Sequence, residues 1–472
     1  MAMLSIANQS LAIEHLDAFN KISGEKYVLV DEETLHNYAH DETEDLHFLP
    51  DVVIKPGSAE EISAILKICN QYKIPVTPRG AGTGLSGGAL PHLGGVLLSV
   101  ERLNKIIQID ERNLQVTTEP GVITEILQNA VKEKGLFYPP DPSSRGSCMI
   151  GGNIAENSGG PKAVKYGVVK DYVLNLEVVL PTGEIIWTGA NVLKNSTGYN
   201  LTQLIVGSEG TLGIVTKAVL KLLPLPKLDL LMLVPFKNPV DACAAVSAIF
   251  AAGYVPSAME FMERDAIEWS MRFIDNCIVP MDDETQAHLL IEVDGNDMDV
   301  LMKEMEGISE VVMGFHPGEI LFADDAQQKA ELWKLRRRVG EAVKSHSIYK
   351  EEDTVVPRAE LPTLLQGVKD IGHKYGFKSV CYGHAGDGNL HVNIIKGDLT
   401  DEQWNGSLKD GIVEIFQLVK ELGGTISGEH GIGLVQKEYL PIVFDPVQMR
   451  LMKSIKALFD PNNILNAGKI FD

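Results

Sequence analysis

Cysteine is sparse. There are five in 472 residues, Cys69, Cys148, Cys243, Cys277 and Cys381, and no two are close in sequence. An odd, scattered set excludes a disulfide framework and offers no iron–sulfur or zinc-ribbon ligand cluster. A reducing compartment is the simple reading. Long apolar runs are also missing. Leu228–Phe236 comes closest and has the length of a strand, not of a membrane helix. The opening stretch MAMLSIANQSLAIEHLDAF has no basic region, which argues against a secretory leader. Positive charge is in deficit: 42 Lys+Arg stand against 64 Asp+Glu, for a formal charge of −22. A chain this acidic would repel a phosphate backbone, so nucleic acid is not an expected partner. What remains is a soluble, cytoplasmic protein with room for about three units of ordinary domain size.

Glycine, in contrast, is clustered. IPVTPRGAGTGLSGG places Gly80, Gly82, Gly84, Gly87 and Gly88 after a short apolar strand. Such a cluster suits a backbone that lies against a phosphate. The letters Gly82-Thr83-Gly84-Leu85-Ser86-Gly87 spell a dinucleotide fingerprint, but its context fails. Only GALPHLG separates Gly87 from the next strand, Gly95–Val100, and a Rossmann crossover needs a helix there. No Lys-Ser/Thr follows, so a P-loop fails as well. The expectation is a phosphate-binding glycine loop joining two strands directly. Two further glycine-rich stretches follow, Gly151–Gly160 (GGNIAENSGG) and Gly207–Gly213 (GSEGTLG). Both read as loops.

Along the chain, residues 1–45 read as a helical, then acidic, solvated lead-in. Asp51–Thr77 reads as a β-α-β unit opened by a capping box at Ser58. Leu223-Pro-Leu-Pro-Lys227 marks a boundary. Beyond it strands alternate with helices, which suggests an antiparallel sheet with helices on one face. One helix is expected over Ala326–Ser345.

Two constellations carry candidate chemistry. In Gly383-His384-Ala-Gly-Asp-Gly-Asn-Leu-His391, a hairpin centred on Asp387-Gly388 would set His384 directly opposite His391, with Asn393 on the same face. Such a pair suits one metal ion, and it equally suits two hydrogen-bonded histidines. Gly428-Glu429-His430-Gly431 could supply a third ligand and a base, or be a solvated turn. Arg336-Arg337-Arg338 lies on a helix, so at most one or two of these arginines can reach a common carboxylate. Lys350 opens an acidic run that could be surface.

Together these motifs resemble the flavin-dependent D-2-hydroxyacid dehydrogenases, namely D-lactate dehydrogenase, the glycolate oxidase flavin subunit and D-2-hydroxyglutarate dehydrogenase. The similarity runs from about Asp51 to Phe471 through PRGAGTGLSGG, PPDPSS, GGNIAENSGG, LIVGSEGTLGIVT, GHAGDGNLHVN, SGEHGIG and FDPNNILNAGKIF. It implies an α+β chain with a two-part FAD-binding domain of the vanillyl-alcohol-oxidase type at 46–225 and an antiparallel-sheet substrate (cap) domain at 226–425. A C-terminal helical segment, 426–472, would return to the FAD domain. FAD contacts are implied at Arg79, Gly80, Ala81, Gly82, Thr83, Gly84, Leu85, Ser86 and Gly87. Others are implied at Pro140, Asp141, Ser147, Gly151, Gly152, Asn153, Ala155, Asn157, Glu209, Gly213, Ile214 and Asn466. With no histidine in the first loop, the FAD is expected to be non-covalent.

His384, His391 and Glu429 match the family's ligands for a divalent metal, zinc first, with manganese or iron as alternatives. His430 matches its base, Arg336 its carboxylate-binding arginine, and Lys350 and Asn393 further substrate contacts. The implied reaction is oxidation of a 2-hydroxyacid, D-lactate or glycolate ahead of D-2-hydroxyglutarate. Electrons would pass to a separate quinone, cytochrome, electron-transferring flavoprotein or partner subunit, at the membrane periphery in some of these cases. A homodimer is compatible with the sequence. The rivals are an oxygen-using alcohol or sugar oxidase on the same fold and a flavin-free zinc hydrolase or metal-stabilised binding protein. The three ordered glycine loops disfavour the last.

Overall fold

The computed structural model describes residues 11–275, 277, 279, 281–323 and 325–471. The first ten residues of the expected lead-in lie outside them. Among the described residues no helix is long and apolar enough to cross a membrane.

Three sheets organise the chain. The first has four strands in the order Val28–Leu29, Val52–Ile54, Val96–Ser99, Val76–Arg79. Its last three strands run parallel. Ser58 caps the crossover helix Ala59–Tyr72 by accepting from the Glu61 N–H at 3.2 Å. That helix buries Ile62, Ile65, Leu66 and Cys69 against the strands. The glycine loop then joins Val76–Arg79 to its neighbour Val96–Ser99 with no helix between them, as expected. At Gly82 the backbone is left-handed, φ +74°, with the Arg79 guanidinium packed where a Cβ would stand, so only glycine fits.

The lead-in is not a solvated appendage, contrary to expectation. Its strand Val28–Leu29 pairs with Val52–Ile54, and the segment after it seats the glycine loop. Arg79 donates to the backbone carbonyls of Tyr38 and His40 (3.4 and 2.8 Å), and Thr43 Oγ1 accepts the Gly87 N–H at 2.6 Å. From the far end of the chain, residues 464–466 add a further rung beside Val76. Val76 N–H donates to Ile464 O at 2.7 Å and Asn466 N–H to Val76 O at 2.9 Å. Lys469 Nζ donates to Gly88 O at 2.7 Å.

The second sheet is antiparallel and five-stranded, ordered Ile106–Asp110, Gln115–Thr118, Ile214–Lys221, Val173–Val179, Ile185–Trp187. The GGNIAENSGG stretch, expected as a loop, contains the helix Ile150–Glu156. Gly151 lies against Pro120, so its missing side chain serves close approach and not a turn.

The third sheet has seven antiparallel strands. Their order is Leu321–Phe322, Leu228–Phe236, Ala287–Gly295, Ala258–Glu263, Lys378–Gly383, Asn389–Ile395, Tyr349–Val355. Its helices cover both faces, not one. Pro239–Ala251, Met298–Met313, Leu361–Tyr375 and Leu408–Glu421 pack on one side. On the other pack Arg264–Phe273 and the pair Ala326–Arg337 and Val339–His346, which break at Arg338 where one helix was expected.

Candidate active site

The second of these faces carries the polar side chains. Strand alternation places Tyr349, Glu351 and Asp353 on it, facing His391 and Asn393 of the adjacent strand and Tyr382 of the next. Lys350, Glu352 and Thr354 turn to the opposite face.

His391 is opposite Tyr382 in the ladder, not opposite His384. The Asp-Gly signal had implied a two-residue turn. Residues 385–387 instead form a 3-10 turn and lift His384 out of the ladder. The two imidazoles still meet, with ring centroids 5.7 Å apart. The loop carrying Glu429 completes the cluster. Glu429 Oε1 lies 3.3 Å from His384 Nε2 and 3.8 Å from His391 Nε2. The three ligand atoms all fall within 4.8 Å of one another. Glu429 Oε2 accepts the Gly159 N–H at 3.1 Å, which ties the cluster to the cofactor-side loop.

Each outer imidazole nitrogen has a carboxylate beside it. His384 Nδ1–H donates to Glu260 at 2.8–2.9 Å, and His391 Nδ1 lies 3.1 Å from Glu351. A carboxylate on each Nδ1 leaves both Nε2 lone pairs facing Glu429, the donor set a divalent metal requires. The residues therefore fit the metal. Burial opposes charge on His384, but Glu260 outweighs it and raises the imidazole to about 10. Burial likewise opposes ionisation of Glu429, and the facing His384 holds it down at about 2. A cation between them would relieve this mutual dependence. Glu351 with His391 and His430 forms a second three-residue group that shares His391.

Arg336 is buried and pairs with Glu260 at 2.6 Å, while its Nε has no hydrogen-bond partner. Arg337 pairs with Asp141 at 2.6 Å and Arg338 with exposed Glu341, so the three arginines point three ways. Asn393 is fully buried beside the Tyr382 hydroxyl. Lys350 does not join the site. Its Nζ lies over the Trp404 ring, 5.1 Å from the centroid, on the other face of the sheet. A substrate role for it is therefore withdrawn.

A cavity of about 1180 Å³ connects these groups to the glycine loops. Arg79, Gly80, Ala81, Gly82, Thr83, Gly84 and Leu85 line it, with Ser147, Gly151, Gly152, Asn153, Ala155, Glu209, Gly213, Ile214 and Asn466. At the other end it reaches Arg336, His391, Glu429 and His430. Ser86, Gly87, Pro140, Asp141 and Asn157 are not in the lining. The Ser86 carbonyl accepts from Leu434 N–H, the Asp141 carboxylate is taken by Arg337 and Arg145, and Asn157 Oδ1 accepts the Lys170 N–H. Arg79 reaches the lining but spends its guanidinium on the lead-in carbonyls. Both Gly84 and Gly152 face open space, a backbone cradle that fits a pyrophosphate-containing cofactor.

Sequence reasoning missed Glu260, Glu351 and Asp353. The run Lys350–Asp353 looked like a surface segment, and only a two-residue period in it could have betrayed two inward acids.

A glycine cradle opens onto a two-histidine, one-carboxylate cluster, and comparison with known proteins defines the class, an FAD-linked oxidoreductase. Residues 50–189 match the FAD binding domain family, and residues 225–470 match the family of FAD linked oxidases, C-terminal domain. The chain is 40% identical to a D-lactate dehydrogenase of Anaerostipes hadrus over 97% of both chains. It is 42% identical to the glycolate oxidase subunit GlcD of Bacillus subtilis over 92% of both. It is 34% identical to a D-2-hydroxyglutarate dehydrogenase of Stutzerimonas stutzeri over 94% of this chain and 96% of that one. The fold matches p-cresol methylhydroxylase with substrate bound at a TM-score of 0.80 and 19% identity, over 97% of this chain and 96% of that one. It matches 4-ethylphenol oxidase of Gulosibacter chungangensis at 0.76 and 22%, over 98% of both. The chain belongs to the FAD-linked D-2-hydroxyacid dehydrogenase family, on the vanillyl-alcohol-oxidase-type FAD fold.

Proposed function

We propose that the chain oxidises a D-2-hydroxyacid with a single carboxylate, D-lactate or glycolate, to the 2-oxoacid. The observation that carries this reading is the convergence of His384 Nε2, His391 Nε2 and Glu429 Oε1 at one end of the cofactor cavity, beside Arg336 and His430. When bound, FAD takes up the hydride and a divalent metal, zinc first, supplies a Lewis acid for the chelating hydroxyl and carboxylate.

The protein's own groups then have distinct tasks. Arg336 orients the substrate carboxylate, with its unpartnered Nε available while Glu260 holds the rest of the guanidinium still. His430 accepts the hydroxyl proton. Its Nδ1 lies 4.0 Å from Asp353, so Nε2 is the nitrogen left to act. Burial opposes charge on His430, and Asp353 outweighs it and raises the imidazole, which suits a base that becomes cationic during turnover. Its ring stacks on that of His391 at 5.2 Å, which limits rotation.

The preference for one carboxylate follows from the neighbouring cations. Arg337 is paired with Asp141, Lys344 with Glu42, and Lys350 is turned to Trp404. Glu351 and Asp353 add negative charge to the same wall. A second substrate carboxylate placed against that wall would meet repulsion, which exposed Lys334 at the cavity lining would have to offset. A separate acceptor, in a cytoplasmic or membrane-peripheral setting, would take up the electrons.

Anaerobic bleaching of the flavin by a panel of D- and L-2-hydroxyacids tests the reading. D-lactate or glycolate should bleach fastest and D-2-hydroxyglutarate slowly, and chelation should stop bleaching until metal is returned. Bleaching indifferent to chelation, or fastest with the dicarboxylate, would overturn it.

A further inference from the structure

The loop Ser427–Gly433 carries Glu429 and His430 but lies in neither helix nor strand. Its position is fixed from outside, by one carboxylate on the seven-stranded sheet and one in the turn that leads into the five-stranded sheet. On one side Asp353 Oδ2 accepts the N–H groups of Gly428, Glu429 and His430 at 2.8, 2.8 and 3.0 Å, with Ser427 Oγ at 3.2 Å. The other oxygen of Asp353 accepts Asn389 Nδ2 at 2.7 Å. On the opposite side Glu209 Oε1 accepts Ile432 N–H at 2.8 Å and Glu209 Oε2 accepts Gly433 N–H at 2.6 Å. Five amides of one loop thus end on two buried acids, 75–77 residues downstream of one and 223–224 downstream of the other. Buried amides must be satisfied, and amide-to-carboxylate bonds are the strong, charge-assisted kind.

A second observation concerns Glu209 itself. Its backbone is left-handed, φ 50°, in a turn whose other left-handed positions, 207 and 210, are glycines. A glycine would adopt that conformation at no steric cost, so the side chain is held there against local preference. Its carbonyl is pinned by Asn466 Nδ2 at 2.7 Å. At the centre of the clamp Gly431 is left-handed too, φ +79°, pressed on Glu156 with no room for a side chain.

We propose that Glu209 and Asp353 are positioning residues for His430, and that Glu209 serves this loop and is not an FAD ligand. One acid references the base to the cofactor-side sheet, the other to the sheet that carries the two histidines. The distance from base to reacting atoms is then set by both. The role given to His430 rests on the function proposed above; the clamp itself does not.

The test uses Glu209→Gln and Asp353→Asn in the full-length flavoprotein. An amide can accept one N–H but turns its own NH2 toward the next, so each variant loosens the loop with little change in volume. Three readouts are taken: flavin per chain, amide exchange over residues 427–433, and the two half-reactions by stopped flow. We expect flavin content to hold and loop exchange to rise. Flavin reduction by the fastest 2-hydroxyacid should fall about tenfold or more, in the range of a misplaced general base. Reoxidation of dithionite-reduced flavin by a dye should stay unchanged, which a merely structural defect would not allow. Glu209→Gln that sheds flavin while loop exchange is unchanged would make Glu209 a cofactor ligand and overturn the proposal. Faster loop exchange with an undiminished reduction rate would overturn the positioning role. If no 2-hydroxyacid reduces the wild-type flavin, the proposed function fails, and the exchange and flavin readouts still decide the clamp.

Discussion

The two faces of the seven-stranded sheet both bury acids, but they treat them differently. On the face toward the cavity, Glu260 meets Arg336 and His384, Glu351 meets His391, and Asp353 meets three amides. Burial opposes ionisation of each, and each is nonetheless held below its usual range, Glu260 and Glu351 by those partners and Asp353 by the facing His430 and His391 ahead of the amides. On the opposite face Glu352, one residue away in the same strand, has the amide of Gln436 for its hydrogen bond at 2.8 Å. There burial prevails and the carboxyl is raised to about 7. Charge kept ionised by built partners marks the working face; charge left to desolvation marks the core.

The comparison can be broken at several points. The largest effect is expected on the working face, where His430→Ala should keep FAD and lose roughly 10²–10⁴-fold in flavin reduction. Stopped-flow reduction measures it, and a near-wild-type rate removes His430 as the base. Next is Glu260→Gln, which frees the outer nitrogen of His384. Metal affinity of the chelated protein should fall about 10–100-fold, and the folding midpoint should fall as well, because buried Arg336 loses its partner carboxylate. Titration with zinc, read by metal content and not by turnover, decides this.

On the core face the expected signature is inverted. Folded Glu352 keeps its proton to about pH 7, whereas the unfolded side chain releases it near 4.5. The unfolded state therefore binds fewer protons between those values, and stability is lost as pH rises through 7. Glu352→Gln should remove that loss, on the order of 3 kcal/mol above pH 7, with none below about pH 4 and kcat unchanged. Urea melts at several pH values would show it; parallel melts for variant and parent would refute it. The smallest effect is Lys350→Met. It should leave kcat and KM intact and cost about 0.5–1 kcal/mol of cation–π contact with Trp404. A raised KM would return Lys350 to the substrate.

Much of this was legible in the sequence, for identifiable reasons. The glycine loop could be freed from its dinucleotide look-alike because spacing is local: seven residues cannot hold a crossover helix. His384, His391, Glu429 and Arg336 came from motifs whose family resemblance carries their three-dimensional meaning. The hairpin register failed because Asp387-Gly388 promises a short turn, and nothing local reports that residues 385–387 coil instead. Lys350–Asp353 was opaque because alternate residues of a strand acquire meaning only once both faces have owners. Glu260 and Glu209 are isolated acids whose partners lie 124 and more than 220 residues away. No pattern at short range encodes such pairs. The lead-in misled for the opposite reason: its acidity suggested water, while its backbone carbonyls were what Arg79 required.

The rung that residues 464–466 add beside Val76 has a consequence for biosynthesis. During vectorial synthesis the glycine loop emerges early, yet Asn466 and Lys469, which brace it, are translated nearly four hundred residues later. A nascent chain must carry an unbraced loop throughout that interval. Cofactor loading is then expected only after residues 464–469 have emerged, and not on maturation of the first sheet alone. Contacts of such long sequence separation also make closure slow, so flavin uptake would report docking of that segment.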